Sequence, residues 1–277
     1  YVPVLGDDVT AVRGMVDVVD GMVGETLPSL ASTVQTLMNS GLSGGGEGQL
    51  NLQPIVDAQD GFAKVNELVQ QQADAINALP QPHVGVVRSA YEQGKEQINK
   101  VADMLDQVSG MVQAMPKLLG QDGPRTYLLV AQTTSEQRSG GGLVGSLGTM
   151  QVDNGNISVG EFHSNKEFVA LGESATAEEH DVFSDPLYFS FDVRDLFAVP
   201  DFSRTAEMLN TVWQRSEYAR DIDGVIAIDP LFIQEMVRIN GDITLDNGQV
   251  LTGDNTAEFM LNGIYKAFDP DTQDMYF

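Results

Sequence analysis

Apolar residues recur at steps of three and four through the first 117 positions. In the first stretch they are Val9, Val12, Val16, Val19, Val23, Leu27, Leu30, Val34 and Leu37. A period of 3.6 places such residues on one face of a helix. Asp7 or Asp8 can cap its start, Pro28 can kink it, and the run NSGLSGGGEG from Asn39 to Gly48 ends it as a flexible loop. A second stripe uses Leu52, Ile55, Phe62, Val65, Val69, Ala73, Ile76 and Leu79, and stops at Pro80 to Pro82. A third uses Val87, Tyr91, Ile98, Val101, Leu105, Val108, Val112 and Met115, and stops near Pro116. Breakers in the connections favour antiparallel neighbours, so residues 1–117 read as an elongated all-α helical hairpin or three-helix bundle.

The pattern changes at LLGQDGPR, Leu118 to Arg125, and short β-prone runs then alternate with turns. RTYLLVAQ reads as a strand. LVGSLGTMQVDNGNISVGEF reads as a hairpin turning at Asp153 to Asn156. SRTAEMLNTVWQRSEYA, capped by Ser203, reads as a helix, and DGVIAID from Asp223 to Asp229 as a buried strand. PLFIQEMVRIN is a helix starting at Pro230, with Asp229 as cap and Gly241 just past its end. DITLDNGQVLT is a second hairpin, and GDNTAEFMLNGIYKAF a last helix. Strands alternating with helices give residues 118–277 the class α/β, as a sandwich.

Composition narrows the chemistry. The 277 residues are 42% apolar, with mean hydropathy −0.12, as in ordinary globular proteins. Forty acidic residues against 15 basic ones leave a formal charge of −25, and acids exceed bases in both halves. Such a surface repels phosphate backbones and anionic lipid, which excludes broad nucleic-acid binding. There is no cysteine, which removes thiol catalysis, disulfides and cysteine zinc sites. No apolar run is long enough to span a bilayer. Tyr1 is not an initiator methionine, so the chain is expected to be a fragment, with any membrane attachment through an anchor upstream of Tyr1.

Two stretches carry candidate chemistry. In EQRSGGGLVGSLG, Glu136 to Gly148, glycines follow a strand and a lone arginine. Arg138, Ser139, Gly141, Gly142 and Ser146 can form an anion-binding nest with a guanidinium beside it. The same residues equally make a tight bend between two strands. No Gly-Lys-Ser/Thr follows the glycines, and no helix does, so neither nucleotide-loop pattern is present. In FDVRDLFAVPDFS, Phe191 to Ser203, the residues Asp192, Arg194, Asp195 and Asp201 crowd before a helix. Asp195 and Asp201 are candidate oxygen ligands for a divalent cation and candidate catalytic acids. An Arg–Asp salt bridge with a helix cap is the alternative. DPDTQD, Asp269 to Asp274, lacks the glycine and distal glutamate of a calcium loop. The three histidines show no paired ligand spacing.

RTYLLVAQTTSEQRSGGGLVGS, RDLFAVPDFS and DGVIAIDP, with PVLGDDVTAVR before them, resemble the hallmark phrases of a bacterial and archaeal envelope family, domain of unknown function 4012. Thr133 stands where that family usually has asparagine. The family generally has an N-terminal membrane helix, so the resemblance implies an anchored ectodomain of the cell envelope on the extracytoplasmic face of a Gram-positive bacterium.

A more distant similarity is to the LytR–CpsA–Psr glycopolymer phosphotransferases, in the order of strand, arginine turn, hairpin, helix, short strand, helix and hairpin. It implies an α-β-α sandwich of that type. It also implies a polyprenyl pyrophosphate held by arginines and Mg²⁺. Gly140, Asn165-Lys166 and Tyr265-Lys266 stand where those enzymes carry an acid, an Arg-Asp pair and an arginine.

Two functions are therefore expected in competition. One is a non-enzymatic envelope module binding a cell-wall glycan, a polyprenyl-linked anion or an envelope protein. The other is a diverged Mg²⁺-dependent phosphotransferase that moves a glycopolymer from polyprenyl pyrophosphate to the cell wall. In it Arg138, Lys166 and Arg194 clamp the pyrophosphate, and Asp195 or Asp201 holds the metal.

Overall fold

The computed structural model describes residues 3–44, 46, 48–185 and 188–268. The chain divides into two compact units. One is Tyr1–Pro124 with Val152–Ile157, and the other is Arg125–Gln151 with Ser158–Phe277. The first is helical and the second mixed α/β. Among the described residues no helix is long and apolar enough to cross a membrane.

In the helical unit, α1 (Pro3–Gly21) runs through a π-helical turn (Met22–Thr26) into α2 (Leu27–Asn39). Pro28 sits in the first turn of α2, where its missing N–H costs least. The wide turn just before it, closed by Leu27 N–H donating to Met22 O, takes the place of the expected kink. Helices α3 (Gln53–Asn77) and α4 (Gly85–Leu118) then pair antiparallel. Their cross-links show the direction: Gln59 meets Gln113, Asn66 meets Asp106, Gln70 meets the Ala102 carbonyl, and Asn77 meets Asn99. Asp8 does not cap its own helix. Its Oδ1 accepts the amides of His83 and Val84 at 3.0 and 2.9 Å, and so pins the segment that leads into α4. Val65, Val69, Ala73, Ala102 and Leu105 form one core cluster, and Val18, Ile76 and Tyr91 another.

The stripe read from α1 is not the face that α1 buries. Val9, Val12, Val16, Val19 and Val23 are exposed, whereas Asp8, Ala11 and Val18 are buried. The buried seam lies one residue earlier along the helix, about 100° around it. Small residues select it. A Cβ on Gly14 would collide with Leu79, and one on Gly21 would come within 2.5 Å of Gln72. Glycine lets α1 approach α3 at Gln72 and the segment just after α3 at Leu79.

In the α/β unit, β1 (Arg125–Arg138) and β2 (Gly141–Asp153) are joined by a two-residue turn, and β3 (Asn156–Val159) follows. The β2–β3 turn is Asn154-Gly155 with φ of 45° and 81°, the left-handed pair that a tight hairpin requires. Its tip belongs to the helical unit. There Gly48 O accepts the Ile157 amide at 2.8 Å, which ties down the end of the Asn39 to Gly48 segment expected to be a flexible loop, and Gly155 O accepts the Leu50 amide just after it. Next come β4 (His163–Ser164), α5 (Lys166–Val169), α6 (Ala177–Phe183), a 3₁₀ turn (Val193–Ala198) and α7 (Phe202–Gln214). The chain continues with β5 (Gly224–Ile228), α8 (Pro230–Asn240), and the small hairpin β6 (Ile243–Thr244) and β7 (Val250–Leu251). The last helix is α9 (Thr256–Glu258), a π-helical turn (Phe259–Gly263) and α10 (Ile264–Ala267).

The sheet order is β3-β2-β1-β5, with β4 on β2. Strands β1 and β5 are parallel, from Tyr127 opposite Gly224 to Ala131 opposite Ile228. Leu128 and Val130 point into a core with Val144, Phe168, Leu196, Phe197, Met208, Leu209, Val212 and Trp213. Leu129, on the opposite face of β1, is buried as well. A strand covered on both faces reads as a continuous apolar run, as Tyr127 to Val130 does. Asp223 fixes the register, accepting from Arg125 and from the Thr126 amide at 2.8 Å each.

Candidate functional site

Arg138 closes β1, and the 3₁₀ turn lies beside it: Gly140 N–H donates to Phe197 O at 2.8 Å. Arg138 Nε and Nη2 both donate to Asp195 Oδ1, at 3.1 and 2.8 Å. Its Nη1 donates to the carbonyls of Glu136 and Gln137 at 3.2 and 3.1 Å. The guanidinium carbon lies 4.7 Å from the Phe189 ring centre. The two side chains are only 10% and 13% exposed. Ser190 completes the arrangement, its amide donating to Asp195 Oδ2 at 3.2 Å and its hydroxyl reaching Asp192 Oδ2 at 2.9 Å.

Arg194 is matched separately. Its Nε and Nη2 form a two-pronged bond to Asp192 at 2.9 and 2.6 Å, and its amide donates to the same carboxylate. Burial pushes the Asp192 carboxyl up, but the hydrogen bonds from Arg194 and Ser190 together outweigh it and hold it below the ordinary carboxylate value. The Asp192 hydrogen bond in turn raises Arg194. Each arginine thus has its own carboxylate, and Glu136, 3.9 Å from Arg138 Nη2, adds a third and more exposed anion beside them.

This geometry corrects several expectations. Arg138 does not face an accessible hollow, because its donors are spent on Asp195 and on backbone carbonyls. The glycines serve a bend. Gly141 has φ of +153°, a Cβ there would strike Gln132, and one on Gly142 would strike the Thr133 carbonyl. Gly142 N–H already donates to Gln132 Oε1 at 2.6 Å, so this part of the nest is filled by the protein's own side chain. Ser139 is exposed in the turn, Ser146 is buried in β2, and Lys166 is exposed at the start of α5, a different element from either arginine. Asp201 caps α7, accepting from Ser203 and Arg204 amides at 2.9 and 3.3 Å, so the cap is Asp201 and not Ser203.

The residues do not fit a Mg²⁺ site. Asp195 is paired with Arg138, Asp201 Oδ1 is taken by two amides, and among the described residues no three His, Asp or Glu gather as ligands. The segment Asp269 to Asp274 lies outside the described residues.

An apolar concavity lies elsewhere in the α/β unit. A cavity of about 230 Å³ is lined by Ala131, Gln132, Thr133, Gly145, Phe162, Ile228, Asp229, Pro230, Ile233 and Met260. It sits at the carboxyl ends of the parallel pair β1 and β5, where open α/β sheets bind ligands. Its wall is largely apolar, and no Arg or Lys is among these lining residues. Asp229 accepts the Phe232 amide at 2.8 Å, which caps α8 and places a carboxylate at the positive helix end. Sequence reasoning identified Asp229 as a cap but missed the cavity. Its walls come from five separate elements and carry no motif. The His163 ring, stacked 3.5 Å from the Tyr218 ring, was missed for the same reason. Tyr218 donates to Glu167 at 2.5 Å, which pushes its phenol up to about 12.

The structure defines a helical unit followed by a mixed α/β unit with an apolar cavity at its parallel strand ends. The chain belongs to the family described as Protein of unknown function (DUF4012), whose model matches residues 122–265, just over half of the chain. No curated protein and no solved structure matches it.

Proposed function

We propose that the chain is a non-enzymatic module of the bacterial cell envelope, on the extracytoplasmic face. Its α/β unit, an α-β-α sandwich of LytR–CpsA–Psr type, holds the apolar part of a polyprenyl-linked glycan in the cavity between β1, β5 and α8. The observation that carries this reading is the lining of that cavity: Ala131, Phe162, Ile228, Pro230, Ile233 and Met260, with Asp229 rather than a cation beside them. A diphosphate there would meet like charge. Phosphoryl transfer depends on positioned cations, and Arg138 and Arg194 are each held by their own carboxylate. A glycan would find few hydrogen-bond partners on such a wall, which favours the lipid portion as the buried group. By proportion with a 150 Å³ cavity that holds benzene, the volume suits a chain of about ten carbons.

Geraniol, a ten-carbon prenyl alcohol, is the direct probe. Isothermal titration should show saturable binding to the wild-type chain and at least a tenfold loss in Ala131→Phe, which fills the cavity. A glycan fragment without lipid should not compete. Absence of geraniol binding, or unchanged binding in Ala131→Phe, refutes the reading. Mg²⁺-dependent release of phosphate or pyrophosphate from geranyl diphosphate would support the phosphotransferase instead.

A further inference from the structure

The exposed face of α1 is more regular than a soluble surface requires. Val9, Val12, Val16, Val19 and Val23 follow steps of three, four, three and four, the spacing of the two apolar positions in a coiled-coil heptad. They are 42% to 61% exposed, and Leu27, just past the π-helical turn, is 49% exposed. These six residues present on the order of 500 Å² of continuous apolar surface, near the upper limit for a monomer. The helix does not need this face for its own packing, which uses Ala11, Gly14, Val18 and Gly21 one residue earlier.

We propose that this valine stripe pairs with the same stripe of a second copy of the chain, the two α1 helices running antiparallel. Charge placement points to this occupant. Arg13 and Asp20 each follow an apolar position of the stripe by one residue, so they lie on the same flank seven residues apart, and both are exposed. Antiparallel pairing brings equivalent flanks together, setting Arg13 of each copy beside Asp20 of the other, twice per dimer. Parallel pairing would instead direct Arg13 toward the partner's Asp8, whose carboxylate is already occupied by the His83 and Val84 amides.

Two stripes bury roughly 1,000 Å² before their flanks are counted, the lower limit for a specific interface. A lipid surface is a poor alternative. Helices that lie on membranes carry Lys or Arg on the polar face, whereas α1 carries Asp7, Asp8, Asp17 and Asp20 against Arg13. The formal charge of −25 opposes association, and near-physiological ionic strength shortens its reach to about 8 Å.

The test is sedimentation equilibrium of the full chain at about 0.15 M salt and up to about 100 μM protein, a range in which an interface of this size associates. The wild type should show a monomer–dimer equilibrium. The double variant Val16→Glu with Val19→Glu should weaken it at least a hundredfold and, at a protein concentration where the wild type is monomeric, keep the wild-type thermal midpoint, since neither side chain is buried. The chain has no cysteine, so orientation can be read by oxidation. A mixture of Val16→Cys and Val19→Cys chains should cross-link into the mixed dimer, and Val16→Cys alone should not. A wild type that stays monomeric, a dimer indifferent to the glutamates, or efficient self-cross-linking of Val16→Cys would each overturn the proposal.

Discussion

Arg138 Nη2 lies 2.8 Å from Asp195 Oδ1 across the β1–β2 turn, with both side chains almost out of solvent. This pair decides how the glycine-rich stretch is understood. An arginine beside glycines suggests a place for an anion, and here the anion is part of the protein.

Removing one member of the pair leaves the other buried and uncompensated, which costs about 3–5 kcal/mol. Asp195→Ala and Arg138→Met should each lower the unfolding free energy, read by urea titration, by that order. The double variant Arg138→Met with Asp195→Leu should recover most of the loss, giving a positive coupling in the cycle. Additive losses would mean that the two groups act independently.

The glycines separate structural need from dispensable flexibility. Gly142→Ala drives a methyl into the Thr133 carbonyl and should prevent stable folding or cost several kcal/mol. Gly110, inside α4, has nothing within 4 Å of a new Cβ. Gly110→Ala should stabilise by about 0.5–1 kcal/mol. Thermal and urea midpoints read both changes.

Acid should unfasten a third contact. Arg204 Nε donates to Glu179 at 2.6 Å, which draws the Glu179 carboxyl down to about 2 from its ordinary 4.5, although burial works in the other direction. A carboxyl lowered on folding contributes stability that is complete above its unfolded pKa. That stability is lost as pH falls from about 4.5 toward 2. Discounted for solvent screening, it amounts to roughly 1–2 kcal/mol. In Glu179→Gln the stability–pH slope across this interval should flatten. An unchanged slope would show that the pair contributes nothing.

Capping gives a smaller, local effect. Asp201 and Asp229 hold the first amides of α7 and α8. Alanine at either position should cost about 1 kcal/mol and leave the fold intact. A larger loss at Asp201, accompanied by loss of Mg²⁺ binding, would restore it as a metal ligand.

The sequence made some of this legible and hid the rest, for physical reasons. Helical period placed α3 well, because that helix buries a single stripe from Leu52 to Ile76. It failed on α1, which is apolar on two adjacent seams. Periodicity measures amphipathicity and not partnership, and the deciding residues were glycines too small to register as hydrophobic. Asn154-Gly155, Asp229 and Gly241 were readable because their local chemistry has few alternatives. The Thr176–Glu179 capping box was equally local and was missed. In the cluster of Arg138, Asp195, Asp192 and Arg194 the local Arg194–Asp192 salt bridge was readable as one alternative, but the long-range Arg138–Asp195 pair was not. The cavity was not readable at all, since Ala131, Phe162, Ile228 and Met260 meet only through the sheet and its covering helices.

The central claim is that the α/β unit takes its ligand by an apolar group and not by charge. Its most direct test is the ratio of two affinities, geranyl diphosphate with Mg²⁺ against geraniol, measured on the same wild-type chain. The account predicts a ratio at or below one, because Asp229 repels the diphosphate, Arg138 is spent on Asp195 and on carbonyls, and Arg194 is already matched by Asp192. Diphosphate binding tenfold or more tighter than the alcohol would contradict it.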